Sequence, residues 1–403
     1  MRGIWDNAQA EQPLICATGH QRLENNREQS MKFVIAPDSF KENLTSLQVA
    51  EAIEKGIRRV YPKAACVKVP MADGGEGTAR AMIRACNGRW IEREVMGPLP
   101  EMKVNAGFAW FEDKTALVEM ASASGLELLS PEHMNPLKTT TYGTGELIKS
   151  ALEYGACKIL LAVGGSATVD GGFGAATALG WKFLDKKGEQ IPLEGAGLEK
   201  LVKIIESENP IMVPVEVLCD CDNPLCGESG AARVYAPQKG ATPEMVERLE
   251  KSLVHLSDVV KVQLQRDICH VPGAGAAGGL AAGAIAFMDA SLVSGIETVI
   301  ARSGLRAELE SADWIITGEG CFDYQSLSGK TISGILKTAS QTNTRVAVIA
   351  GQVKVTPEVY QKAGIVTAIS CKPDTMSLDE ALANSRTLLY SAAKKFAENY
   401  LFR

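Results

Sequence analysis

No stretch of the 403 residues is both long and apolar enough to cross a bilayer. The most apolar stretches, such as Gly278 to Met288, fall short of the ~20 residues a span needs and are diluted by glycine and alanine. Residues 1–30 lack the continuous apolar core of a secretory signal, because Pro-Leu-Ile-Cys-Ala is flanked by acidic and polar side chains. They are expected to form a poorly ordered N-terminal extension, with Met31 as an alternative start. An excess of positive charge is missing as well: the formal net charge is -6, so there is no electrostatic footprint for nucleic acid or an anionic membrane. Histidine is scarce, and His20, His133, His255 and His270 all lie outside the glycine-rich segments, so no Ser-His-Asp arrangement is suggested. The 10 cysteines show no secretory framework. Only Cys219, Cys221 and Cys226 cluster, as Cys-x-Cys-x4-Cys without a nearby histidine, which suits inert small hydrophobes better than zinc or redox chemistry. Repeats and low-complexity linkers are also absent.

What is present is a globular composition, 46% apolar and 22% charged, sufficient for two domains. From Met31 the pattern alternates strand and helix. Lys-Phe-Val-Ile-Ala-Pro reads as a strand, Leu44 to Val60 as a helix capped by Thr45 or Ser46, Cys66 to Met71 as a strand and Glu76 to Cys86 as a helix. Between Arg89 and Met120 three strand-like runs follow one another without helices, which suits antiparallel pairing. Lys158 to Val163 and Val213 to Cys219 read as buried strands. Alternation returns with Trp314 to Thr317, Arg345 to Ala350 and Val366 to Ser370, before a final helix from Leu378 to Asn399. The expectation is an α/β protein: a Rossmann-like parallel-sheet domain formed from both chain ends, 31–92 plus 291–403, with an inserted second α/β domain, 93–290, containing a mixed sheet.

Four glycine-acid clusters each follow a predicted strand: Ala-Pro-Asp-Ser-Phe-Lys at 36–41, Met-Ala-Asp-Gly-Gly-Glu-Gly-Thr at 71–78, Gly-Gly-Ser-Ala-Thr-Val-Asp-Gly-Gly at 164–172, and Thr-Gly-Glu-Gly-Cys-Phe-Asp at 317–323. Ligands of open α/β sheets bind beyond the carboxyl ends of the strands, so such loops can converge on one anion-handling site. Glycine amides at 74–75 and 164–165 can cradle a phosphate or carboxylate. Asp73, Asp170 and Asp323 are suited to holding magnesium or accepting the proton of an attacking hydroxyl, and Lys41 and Lys330 to neutralising a transferring phosphoryl group. The competing reading is structural, since Asp-Gly-Gly is common in turns and helix caps.

Other segments imitate nucleotide motifs. Gly273, Gly275 and Gly278 have dinucleotide-fingerprint spacing but follow no convincing strand, and a close-packed helix of small residues is the better reading. Tyr324 to Thr331 ends in Gly-Lys-Thr but places Tyr324 at the first glycine of a P-loop, so it does not qualify. Cys-Asp-Cys-Asp-Asn-Pro-Leu at 219–225 offers Asp220, Asp222 and Asn223 at a strand end, as ligands or as an Asx turn before Pro224.

Taken in order, these motifs resemble the bacterial glycerate kinase family, the two-domain α/β type distinct from P-loop kinases. The resemblance rests on Pro-Asp-Ser-Phe-Lys at 37–41, Ala-Asp-Gly-Gly-Glu-Gly-Thr at 72–78 and Gly-Gly-Ser-Ala-Thr-x-Asp-Gly-Gly at 164–172. It continues through Asp-Asn-Pro-Leu at 222–225, Pro-Gln-Lys-Gly-Ala at 237–241, Pro-Gly-Ala-Gly-Ala-Ala-Gly-Gly at 272–279, and Thr-Gly-Glu-Gly-x-x-Asp-x-Gln-Ser at 317–326 with Gly329 and Lys330. It implies transfer of the ATP γ-phosphoryl group to D-glycerate, most often giving 2-phosphoglycerate, with magnesium and a cytoplasmic setting. On that reading Asp73, Asp170, Lys41 and Lys330 are catalytic candidates, and Asp323 and Asp220 metal ligands. Ser39, Gly74, Gly75, Glu76, Gly164, Gly165, Ser166, Gly171, Asn223 and Glu319 are candidates for substrate or phosphate binding. Val169, Cys321 and the Thr331-Ile332 pair depart from the usual pattern. Rival readings are the same chemistry giving 3-phosphoglycerate or acting on another small hydroxy acid, an NAD-dependent enzyme, or a non-catalytic metabolite-binding protein.

Overall fold

The computed structural model describes residues 31–40, 43–72, 74–75, 77–328 and 331–400. The extension at 1–30 and the candidates Lys41, Asp73, Glu76 and Lys330 lie outside the described residues.

A strand is set wherever β-branched and aliphatic residues run between turn signals, and five such runs make one wholly parallel sheet. Its order is Ile365–Ser370, Arg345–Ala350, Trp314–Thr317, Lys32–Ile35, Ala65–Lys68, so both chain ends build it. Alternation decides the faces. Phe33 and Ile35 pack with Trp314 and Ile316 under the helices Ser46–Val60 and Ser385–Tyr400. Val34 and Ile315 point the other way, onto Ile296 and Ile300 of helix Gly295–Arg302 and Ile332 and Ile335 of helix Thr331–Ala339.

Helix Ser46–Val60 starts at Thr45 through a capping box: the Gln48 amide donates to Thr45 Oγ1 at 3.3 Å and the Thr45 amide to Gln48 Oε1 at 3.0 Å. Thr45→Ala should lower stability by about 1 kcal/mol without changing activity, as measured by denaturant titration beside a kinetic assay. At the other end of the chain the expected single helix is two, Leu378–Ala383 and Ser385–Tyr400, separated at Asn384.

The inserted segment makes a six-stranded mixed sheet in the order Ser291–Val293, Val215–Leu218, Lys158–Ala162, Thr115–Glu119, Lys103–Trp110, Arg89–Met96. The first four are parallel and the last two add antiparallel. Strands Arg89–Met96 and Ser291–Val293 both belong to this sheet. Its inner face, with Phe111, Leu117, Leu160 and Leu218, joins the same apolar layer as Val34 and Ile315. The outer face is covered by helices Tyr142–Glu153 and Ala276–Met288. No described helix is long and apolar enough to cross a membrane.

The glycine-rich run is not a regular helix throughout. Within Ala276–Met288, Ala277, Gly278 and Gly279 take left-handed angles, φ 56°, 64° and 90°. The reason is close packing: a Cβ on Gly278 would lie 2.0 Å from the Thr168 carbonyl oxygen, and one on Gly275 2.2 Å from that of Pro224. These glycines admit other loops of the protein to the backbone, which removes the basis for a dinucleotide there.

Candidate active site

In the parallel sheet the chain leaves Lys32–Ile35 toward one edge and Trp314–Thr317 toward the other, so a topological switch point falls between these neighbours. Crevices at such points receive ligands because the outgoing loops part there. Here the two outgoing loops touch at their bases, where the Asp38 amide donates to the Gly318 carbonyl at 2.8 Å. Thr331, the residue after Lys330, donates its hydroxyl to Asp38 Oδ2 at 2.6 Å. Asp38 is buried and Ser39 half-buried. Asp38 was not singled out from sequence; its only signal was a place inside the Pro-Asp-Ser-Phe-Lys run.

The segment after Ala65–Lys68 ties this crevice to the second sheet. The Met71 amide donates to the Pro37 carbonyl at 2.9 Å. Gly74, at φ 86°, packs so closely on strand Val215–Leu218 that a Cβ would lie 3.1 Å from Leu218 Cβ and 3.5 Å from Gly295 Cα. Glu119, at the carboxyl end of Thr115–Glu119, accepts from the Ala79 amide at 2.6 Å, filling the start of helix Thr78–Ala85 with a protein carboxylate. Gly74 and Gly75 thus lie where the carboxyl edges of both sheets meet.

The third cluster is layered. Gly165 is exposed and Gly164 half-buried, while Ser166 lies beneath them and Asp170 at the bottom is wholly enclosed. The Asp170 carboxylate accepts from the Thr141 amide at 2.8 Å, the Thr141 hydroxyl at 2.7 Å and the Gly172 amide at 2.9 Å. Burial pushes its pKa up, against the pull of those donors. With no solvent face, Asp170 supports the loop from below. Gly171 is equally internal, its amide donating to Gly278 at 3.0 Å.

Lys239, at the end of the short helical turn Pro237–Lys239, is the charged group that sequence reading did not nominate. It is 1% exposed, and its ammonium donates to Ser166 Oγ and to the Thr168 carbonyl, both at 2.7 Å. Burial pulls its pKa down to about 7, with the charge of Asp170 acting against that fall. Its signal was membership of the Pro-Gln-Lys-Gly-Ala run, but a lysine beside proline and glycine reads by default as a surface turn.

The remaining candidates are used by their own loops. Asp323 Oδ1 accepts from the Gln325 amide at 2.9 Å and the Ser326 amide at 3.3 Å. Asp220 caps helix Gly295–Arg302, accepting from Ser294 Oγ at 2.8 Å and from the Gly295 and Ile296 amides at 3.1 Å. Both carboxylates are thus engaged by neighbouring backbone amides, and among the described residues no three histidine, cysteine, aspartate or glutamate side chains gather as a metal cluster. Asn223 donates to the Ser229 carbonyl at 2.9 Å and accepts from the Tyr235 hydroxyl at 2.7 Å. Glu319 is half-buried on the Gly318–Gly320 loop, its carbonyl accepting from the Gly351 amide at 3.1 Å.

The sequence matches the model of the glycerate kinase family over residues 33–401. It is 46% identical over 368 residues to a protein of Halalkalibacterium halodurans named glycerate kinase, covering 90% of this chain and 97% of that one. It is 45% identical over 371 residues to a protein of Escherichia coli K12 named glycerate 2-kinase, covering 91% and 97%. A solved structure from Salmonella typhimurium LT2, described with the words glycerate kinase 2, superposes with a TM-score of 0.80 at 43% identity, covering 92% of this chain and 98% of that one. With the family model spanning both sheets and the relatives aligned almost end to end, the chain belongs to the glycerate kinase family.

Proposed function

We propose that the chain transfers the γ-phosphoryl group of ATP to the 2-hydroxyl of D-glycerate, giving 2-phosphoglycerate. The observation that carries this reading is the meeting of the two sheets' carboxyl edges at Asp38 and Gly74, with Thr331 on Asp38 one residue beyond Lys330 and Gly164–Ser166 following the strand Lys158–Ala162 that neighbours Val215–Leu218. A small hydroxy acid and a triphosphate need such a place: exposed glycine amides for anionic oxygens, lysines for transferring charge, and one carboxylate for the hydroxyl proton.

In this reading Asp73 orients the glycerate hydroxyl and accepts its proton, an assignment supported by the enclosure of Asp170. Lys41 and Lys330 offset the charge of the transferring group. Gly164 and Gly165 present amides at the rim, held in place by Lys239 acting on Ser166 and Thr168. No step is routed through Asp220 or Asp323, whose carboxylates serve a helix cap and a turn.

Regiochemistry is read directly by product. Purified protein with ATP, magnesium and D-glycerate is coupled to enolase without phosphoglycerate mutase. A signal equal to ADP formation is the expected result; ADP without the enolase signal places the phosphate on the 3-hydroxyl and overturns the proposal.

A further inference from the structure

Cys219 and Cys221, inert small hydrophobes on the sequence reading, stand side by side at the carboxyl edge of the six-stranded sheet. Their sulfurs are 3.6 Å apart, and the Cys219 thiol also faces the Cys221 carbonyl at 3.5 Å and the Gly273 carbonyl at 3.6 Å. Both are half-buried, and both line a cleft of about 490 Å³ that opens toward Ser333 and Lys337 of helix Thr331–Ala339. A small oxidant can therefore reach a sulfur whose nearest reactive neighbour is another thiol.

We propose that Cys219 and Cys221 are an oxidant-sensitive dithiol, converted to a disulfide by a hydroperoxide and returned to thiols by a small thiol reductant. The Cys221 sulfur, having given up its proton, attacks the peroxide O–O bond; an S–O bond forms, the O–O bond breaks, and the leaving oxygen takes a proton as water or an alcohol. The Cys219 sulfur then displaces the sulfenic oxygen. An S–S bond forms, the S–O bond breaks, and the Cys219 proton leaves with that oxygen as water. Two electrons pass from the two sulfurs to the peroxide, and nothing else is consumed.

Closing the gap to the ~2.05 Å of a disulfide draws the sulfurs together by about 1.5 Å, which residues 219–221 must absorb. Between them sits Asp220, the cap of helix Gly295–Arg302. Oxidation thus pulls on a helix that forms one wall of the cleft. The proposal does not depend on which hydroxyl is phosphorylated, or on kinase activity at all.

The test uses the full chain, reduced, desalted and treated with hydrogen peroxide under non-denaturing conditions. Expected are the loss of two titratable thiols, a mass decrease of two hydrogens, a cross-link mapped by proteolysis to Cys219 and Cys221, and recovery of both thiols with dithiothreitol. Cys219→Ser should stop at a sulfenic acid on Cys221, captured by dimedone. Unchanged thiols, a cross-link between Cys226 and Cys269, or the same sulfenic product in wild type and Cys219→Ser would each overturn it. Mapping on the wild-type chain decides the matter even where the variant folds poorly.

Discussion

Asp73→Asn is expected to lower kcat by roughly 10²–10⁴-fold while leaving the circular dichroism spectrum and melting temperature near those of the wild type. An amide keeps the size of the side chain and cannot take the hydroxyl proton, so the loss belongs to the chemical step. Asp170→Asn is the informative contrast. The Asp170 carboxylate accepts three hydrogen bonds in a wholly buried position, and an amide turns a donor toward donors. That change should cost about 2–3 kcal/mol of stability, with turnover per folded molecule reduced far less than in Asp73→Asn. Steady-state kinetics and denaturant titrations on both variants separate the two parts. A large kcat loss in Asp170→Asn with unchanged stability, beside near-normal Asp73→Asn, would reverse the assignment.

The second large effect is at Lys239. Lys239→Met leaves the buried Ser166 hydroxyl and Thr168 carbonyl without their donor, and should destabilise the protein by about 1–3 kcal/mol near neutral pH. The variant also carries a pH signature. Lysine has an ordinary pKa of 10.5, whereas burial holds this one at about 7 in the folded chain. Between those values the unfolded chain binds more protons than the folded one, so this group makes wild-type stability rise with pH across that window, by at most about 1.4 kcal/mol per unit. The methionine variant has no such slope. Denaturant titrations between pH 6 and 10 should show the gap between wild type and variant widening as pH rises, and a constant gap would mean that Lys239 is not held near neutrality. Because Lys239 holds the rim loop through Ser166, KM for the anionic substrate should rise as well.

Much of the scaffold was legible because its signals are local. Thr45 with Gln48 marks a helix start within four residues, and the runs between Arg89 and Met120 alternate without helical spacing, giving the strands Arg89–Met96, Lys103–Trp110 and Thr115–Glu119. The glycine-acid clusters do fall at the carboxyl ends of strands. What local pattern does not carry is depth: Asp170 at the bottom of its loop and Asn223 tied to Ser229 and Tyr235 are the same residue types, beside the same glycines and prolines, as ligand-facing ones. Lys239 is the converse, a charge drawn inside by partners some seventy positions earlier, Ser166 and Thr168. The left-handed turn at Ala277–Gly279 was hidden for the same reason, since its cause is the Thr168 carbonyl of another loop.

The layer of Ile296, Ile300, Ile332 and Ile335 belongs to neither sheet alone: it packs with Val34 and Ile315 and, in the same apolar cluster, with Leu117, Leu160 and Leu218. Ordinary inter-domain contacts are polar and separable, whereas this one is a continuous interior. Removing the insert would strip Leu117, Leu160 and Leu218 from this cluster and leave the helix layer of Ile296 and Ile300 with an uncovered apolar side. The two halves are expected to melt as one cooperative unit, seen as a single transition in differential scanning calorimetry.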